Sequence, residues 1–398
     1  MPVLIGRGLD FERPRKGRGN IIKDILDWYK EKKIPYLTLG GYAGTGKTTI
    51  LGYLNEKLHK DYKGISIAYC SYTGKASQVL RKKLQETGSL KRSDYVGTIH
   101  RLIYKPILDE DDNIIGWEKI SVDDFEYDLI IIDEASMVSS DIWQDLLSFE
   151  KPILAVGDHG QLPPVEGKFN LMLKPMLRLE EIYRQEKDNP IVVISEMARK
   201  YGEIPKMEYG RYVKKFSRED EDVMEFLTDQ LSSYNENMMV LVGYNHTRNK
   251  INDGIRQLLE FESPQPQIQD RVICLRNNAE LGIFNGMIGT LQSIEKVSVA
   301  DMLEYYQADI LFDGEDEVFH LPISIEQFRQ RETLRNVSRD INLFDFGYAL
   351  TVHKAQGSQA EKVILFEERF SKMDDDMWRR WLYTGVTRAV SELYIIGD

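Results

Sequence analysis

The chain has 398 residues, 42% of them hydrophobic and 29% charged, and a formal net charge of −12. That length exceeds what one core organises, at roughly 100–200 residues per domain, and the composition excludes wholesale disorder. The longest strictly apolar run, Met238–Val242, falls far short of the ~18 residues of a membrane span, and two cysteines, Cys70 and Cys274, exclude a disulfide scaffold.

In chain order, Pro35–Leu39 reads as a strand, followed by a Gly-rich turn and a helix through about Leu58. Ile65–Tyr69 is the next strand and Ala76–Leu84 the next helix. Ile107–Leu108 and Ile114–Trp117, around an acidic tip, suggest a protruding hairpin within about 103–128. Leu129–Ile132 and Ile153–Val156 are buried strands separated by a helix near Asp141–Phe149. A second strand-helix set begins at Met238–Val242, with a helix over Arg248–Leu259 whose Asn245, Arg248 and Asn252 share one face. After the boundary at Ser263–Gln267, short alternating strands from Arg271 to about Ile325 read as a small inserted β-barrel, with Asn277, Asn278, Asn285 and Gly286 at its turns. The α/β pattern resumes at Tyr348–Val352, with strands Lys362–Phe366 and Leu393–Ile396 flanking a helix around Asp376–Val390. Strands alternating with helices imply a parallel doubly wound sheet that binds ligands at the carboxyl ends of its strands.

The charge is uneven. Residues 103–128 carry nine acids against two bases, and residues 301–320 carry seven acids and no Lys or Arg, whereas residues 71–106 carry eight bases against two acids. A basic stripe on an acidic protein still suits a polyanion, with affinity that falls as salt rises. No Cys/His pair has zinc-ligand spacing.

Gly41-Tyr-Ala-Gly44-Thr45-Gly46-Lys47-Thr48 is a complete phosphate-binding loop between a strand and a helix. Its glycines let backbone N–H groups turn towards the phosphates, Lys47 reaches the β- and γ-phosphates, and Thr48 enters the Mg²⁺ shell, with Thr49 next on the helix. The apolar strand Leu129–Ile132 ends in Asp133, a Mg²⁺ holder, and Glu134, placed to activate water. These residues predict a Mg²⁺-dependent NTPase, with Thr48 and Asp133 as the metal residues.

Further motifs follow in order: Gly157-Asp158-His159-Gly160-Gln161-Leu162-Pro163-Pro164, Tyr183-Arg184-Gln185, Thr351-Val352-His353-Lys354-Ala355-Gln356-Gly357-Ser358-Gln359, and Tyr383-Thr384-Gly385-Val386-Thr387-Arg388-Ala389. With Ser71–Ala76 and Thr98–His100, they resemble the motifs of superfamily 1 helicases, and most closely the 5′-to-3′ branch of RecD-like and Dda-like enzymes. The resemblance covers most of residues 36–396. It implies two RecA-like lobes, a strand-separating pin and an SH3-like barrel. The first lobe is expected at 1–178, the second at 179–262 and 341–398, and the barrel at 263–340.

The resemblance also implies roles. Gln161 would sense the γ-phosphate, and Arg184 and Arg388 would stabilise its transfer from the second lobe. Gln356 and Gly357 would link nucleotide state to that lobe. Thr73, Gly74, Lys75, Thr98 and His100 on the first lobe, with His353 and Lys354 on the second, would hold single-stranded DNA. Ile114 and Trp117 would form the wedge. A hinge that opens and closes with the ATP cycle would then advance the protein along the strand.

The family usually places an adenine-reading Gln upstream of the phosphate loop. Here no Gln occurs before position 78, and Arg13, Arg15, Lys16 and Arg18 stand in the N-terminal segment, which leaves GTP open as a fuel. The expectation is an ATP-dependent 5′-to-3′ DNA helicase, cytoplasmic and monomeric, acting on single-stranded DNA and single-strand/duplex junctions, with a replication or repair protein as a further partner and no membrane. The alternatives are a single-strand translocase, an RNA-directed helicase, or a nucleotide-dependent DNA-binding subunit of a larger replication, repair or recombination machine.

Overall fold

The computed structural model describes residues 18–86, 88–108, 114–163, 169–181, 188–278, 281–299 and 303–398. The chain forms two compact units, Met1–Tyr104 with Lys119–Lys187 and Lys105–Glu118 with Asp188–Asp398.

The first unit opens with α1 (Arg18–Glu31), β1 (Tyr36–Gly41), α2 (Lys47–Asp61), β2 (Ile67–Ser71), α3 (Gly74–Glu86), β3 (Tyr95–Thr98) and the short α4 (Ile99–Ile103). The ribbon strands β4 (Tyr104–Leu108) and β5 (Ile114–Lys119) come next, then β6 (Leu129–Ile132), α5 (Ser140–Leu147), β7 (Ile153–Gly157) and β8 (Leu177–Leu179). Six of these strands make one parallel sheet in the order β3-β2-β6-β7-β1-β8. The β-branched run of β6 is buried on both faces, as parallel strands covered by helices require. Ile21, Ile25 and Trp28 of α1 pack with Leu37, Leu39, Leu51, Leu54 and Tyr69 in one core. Helix α1 falls outside the elements expected above, although its buried residues recur at helical spacing.

The second unit comprises α6 (Pro190–Tyr201), β9 (Glu208–Gly210), β10 (Val213–Phe216), α7 (Val223–Ser232), β11 (Met238–Val242), α8 (Asn245–Leu258), β12 (Arg271–Cys274), β13 (Ile288–Val299), β14 (Leu303–Phe312), β15 (Val318–Ile323), β16 (Phe344–Phe346), β17 (Ala349–Thr351), β18 (Ala360–Phe366), α9 (Asp375–Val386) and β19 (Ala389–Ile396). Local chemistry sets the ends of its helices. Asn189 caps α6 ahead of Pro190, and Gly202 ends it in the left-handed region. Asp374 accepts from the Met377 N–H at 2.7 Å to start α9. The sheet runs β17-β11-β18-β19-β10-β9, parallel except for the β9–β10 edge pair.

An antiparallel sheet, β15-β14-β13-β12-β16, shares its core with that parallel sheet through Val240, Val272, Leu291, Ile310, Phe344 and Ile364. A parallel bridge from Ile323 to Asn342 brings its two outer edges together. Its last strand, β16, lies beyond the 263–340 range expected for the barrel. The first unit runs to 187 rather than 178, and Lys105–Glu118 group with the second unit rather than the first.

Buried ion pairs fasten α8 to the antiparallel sheet. Arg248 reaches Asp345 at 2.7 Å with both side chains at most 2% exposed, and Arg256 reaches Asp270 at 2.8 Å. Asn252 donates to Phe346 O and accepts from the Ala349 N–H. The face shared by Arg248 and Asn252 is therefore a packing face, whereas Asn245 is exposed.

Candidate functional site

The carboxyl ends of the first unit's parallel strands line up along one edge of the sheet. Register pairs Thr98 with Ser71, Cys70 with Ile132, and Gly157 with Gly40. Loops carrying Thr98–His100, Thr73–Lys75, Asp133–Glu134, Asp158–Gln161 and the phosphate loop thus follow one another.

The phosphate loop needs glycine where it lies closest to its neighbours. A Cβ on Gly40 would stand 2.5 Å from Pro175 and 2.8 Å from His159 Nδ1, and one on Gly41 would stand 2.7 Å from Thr45 Oγ1. Gly44 and Gly46 adopt positive φ, and Gly46 caps α2, whose first turn carries no acid. The loop's own carbonyls accept from its side chains. Lys47 Nζ donates to Gly41 O at 2.8 Å and Tyr42 O at 3.1 Å, while Thr45 Oγ1 donates to Tyr42 O at 2.7 Å. Thr48 is half-buried and Thr49 exposed.

Asp133 follows β6, its N–H donating to Cys70 O and its carboxylate accepting from the Glu134 N–H at 3.0 Å. Burial first, then the neighbouring Glu134, pushes its carboxyl up to about 6, against the pull of Lys47 and Lys83. Glu134 holds a left-handed backbone at φ 54, and its Oε2 is buried with no hydrogen-bond partner among the described residues. A buried carboxylate costly to ionise, beside an unsatisfied carboxylate oxygen, fits a divalent cation and an attacking water.

Asp158, quoted above only as part of a motif, belongs to this cluster. It is 2% exposed, accepts from the Gly160 N–H at 2.8 Å, and places Oδ2 4.0 Å from Lys47 Nζ. Its place directly after a buried strand is the signal that would have found it. The His159 ring packs on Tyr42 at 4.2 Å, and Gln161 is buried nearby in the chain.

Two of the expected DNA residues also have structural work. Thr73 Oγ1 accepts from the Ala76 N–H at 3.2 Å at the start of α3, where Gly74 is buried and Lys75 half-buried, and Thr98 caps α4 by accepting from the Arg101 N–H at 3.2 Å. His100 is 7% exposed, with its ring on Tyr104 at 4.6 Å. Trp117 is half-buried. The Ile114 side chain, the ribbon tip at 109–113 and Arg184 lie outside the described residues.

In the second unit, the turn after β17 carries His353 and Lys354, both half-buried, then the buried Gln356 and Gly357, the latter at φ 72. Burial lowers the His353 pKa, so its imidazole is neutral at pH 7. Burial and then Arg248 pull the Lys354 ammonium down to about 8. Arg388 is 1% exposed and donates to Thr384 O and Ser358 O, each at 3.1 Å, and to Thr387 Oγ1 at 3.3 Å.

Known proteins match in the same order. A family model described as an AAA domain matches residues 31–209, and one described as a UvrD-like helicase C-terminal domain matches residues 346–396. The chain is 26% identical to the ATP-dependent RecD2 DNA helicase of Deinococcus radiodurans across 98% of its own length, but it spans only 51% of that relative. It is 22% identical to the ATP-dependent DNA helicase Dda of phage T4 over 98% of the chain and the whole of Dda. A Bacteroides Pif1 helicase solved with ADP-AlF3 and single-stranded DNA aligns over 96% of the chain and 92% of its own, at 18% identity and a TM-score of 0.47. Sheet, phosphate loop and acidic strand end define an α/β P-loop protein with a RecA-like fold. The two family models match separate parts of the chain, and these two relatives, which align along nearly all of it, are DNA helicases by name. Among the described residues no helix is long and apolar enough to cross a membrane.

Proposed function

We propose that this chain is an ATP-dependent DNA helicase that translocates 5′ to 3′ on single-stranded DNA. The observation that carries the reading is the single sheet edge on which the phosphate loop, Asp133–Glu134 and Asp158–Gln161 stand beside the loops of Thr73–Lys75 and Thr98–His100. The alignment with Dda over 98% of this chain and the whole of Dda supports it.

On this reading, incoming phosphates replace the Gly41 and Tyr42 carbonyls as partners of Lys47. Thr48 and Asp133 would hold Mg²⁺, which supplies charge neutralisation at the phosphates when bound. Glu134 accepts a proton from the attacking water as the new P–O bond forms at the γ-phosphorus and the bond to the β-phosphate oxygen breaks. Gln161 senses the γ-phosphate, Arg388 stabilises the transferred charge, and Gln356 and Gly357 respond to the nucleotide. The same reading makes the antiparallel sheet an SH3-like barrel and β4–β5 a strand-separating pin with Trp117 and Ile114 on its wedge. Lys75, His100, His353 and Lys354 contact the DNA through charge and ring stacking, which tolerates any base sequence.

The test is ATP hydrolysis with and without bare single-stranded DNA, using Lys47→Ala as the control. Stimulation by DNA in the native chain and loss of turnover in a folded variant are expected. Hydrolysis indifferent to DNA would favour a nucleotide switch in a larger machine.

A further inference from the structure

Both strands of the β4–β5 ribbon end on one carboxylate. Tyr104, the first residue of β4, donates its hydroxyl to Asp145 Oδ2 at 2.5 Å. Lys119, the last residue of β5, donates its ammonium to Asp145 Oδ1 at 3.1 Å and to Ser148 Oγ at 3.2 Å. Ser148 Oγ in turn donates to Asp145 O at 2.7 Å, and the Ile120 N–H donates to Ile103 O just below the ribbon. Burial and the bond to Asp145 push the Tyr104 hydroxyl pKa up, so it remains a donor.

Asp145 sits on α5, which follows the Asp133–Glu134 strand end after a single 3-10 turn, Ala135–Met137. Tyr104 carries the His100 ring against its own, with 37° between the planes. One side chain therefore joins the helix beyond the acidic strand end to the root of the ribbon and to a proposed DNA residue. A two-stranded ribbon alone is marginally stable, so its anchorage decides how firmly it is held.

We propose that Asp145 is a positioning residue that clamps the root of the β4–β5 ribbon and, through Tyr104, holds the His100 ring in place. Its consequence for strand separation rests on the helicase reading above; the clamp itself does not.

The test uses the full chain with Asp145→Ala and, separately, Tyr104→Phe, which keeps the ring on His100 and removes only the hydroxyl. Hydrogen exchange of the β4 and β5 amides should speed up roughly tenfold, the scale of one lost charge-assisted hydrogen bond, while β1 and β6 are unchanged. DNA-stimulated ATP hydrolysis should stay within about twofold, and strand release per ATP should fall roughly fivefold, at the low end of coupling between sites. Unchanged ribbon exchange in both variants, or faster exchange spread evenly over the first unit, overturns the clamp. Strand release falling only in proportion to hydrolysis overturns the consequence for strand separation. Should the native chain release no strand, the helicase reading fails and the exchange data still decide the clamp.

Discussion

Arg388 is the residue where motif and structure pull hardest against each other. Its place in the final motif underlies the proposed role at the transferred phosphate, yet its guanidinium is buried and donates to three oxygens of its own surroundings. On the proposed role, Arg388→Ala should bind ATP as before while hydrolysis falls roughly 10³-fold, the scale of a lost arginine finger. Near-normal hydrolysis with a lowered unfolding midpoint would make Arg388 a fold residue. Lys354 yields a prediction with a defined sign. It is charged below about pH 8 and neutral above, so affinity for single-stranded DNA should fall between pH 7 and 9. The same shift means the folded state binds fewer protons than the unfolded one between about 8 and the ordinary 10.5, so this group adds stability as pH rises through that window. A Lys354→Arg variant, charged throughout, should bind DNA equally at both ends of the range, as titration by fluorescence anisotropy would report. An unaltered pH dependence in that variant would remove Lys354 from the DNA track.

Among the elements, the joint between α8 and the antiparallel sheet depends on buried charges. Asp345 pairs with Arg248 and also accepts from the Arg329 and Phe346 N–H groups. Removing one member of such a pair strands the other charge in the core, so Asp345→Ala should destabilise the chain by about 3–5 kcal/mol, read from urea unfolding. A loss below about 1 kcal/mol would show that water reaches Arg248. This joint was not legible in the sequence, because Arg248 and Asp345 stand 97 residues apart and neither carries a local signature. The three-residue strand β16 that bears Asp345 is too short for its alternation to register. By contrast, the phosphate loop and the run ending in Asp133 and Glu134 were legible because each packs its chemistry into contiguous residues at a strand end. Asp145 escaped for the same reason as Asp345: its partners, Tyr104 and Lys119, lie on a ribbon that only folding brings to α5.

At the scale of the whole molecule, the two-sheet α/β plan was largely legible, since long apolar strands alternating with amphipathic helices leave few topologies. The divisions between units were less so. Lys105–Glu118 group with one unit while Tyr104 and Lys119 belong to the other, a partition that chain order hides. The proposed function is directional movement along a single strand of DNA. The most direct test is strand release with ATP and Mg²⁺ from two duplexes, one with a 5′ single-stranded tail and one with a 3′ tail. A 5′-to-3′ helicase releases the strand from the 5′-tailed duplex alone; release from the 3′-tailed duplex alone, or from neither, would overturn the proposal.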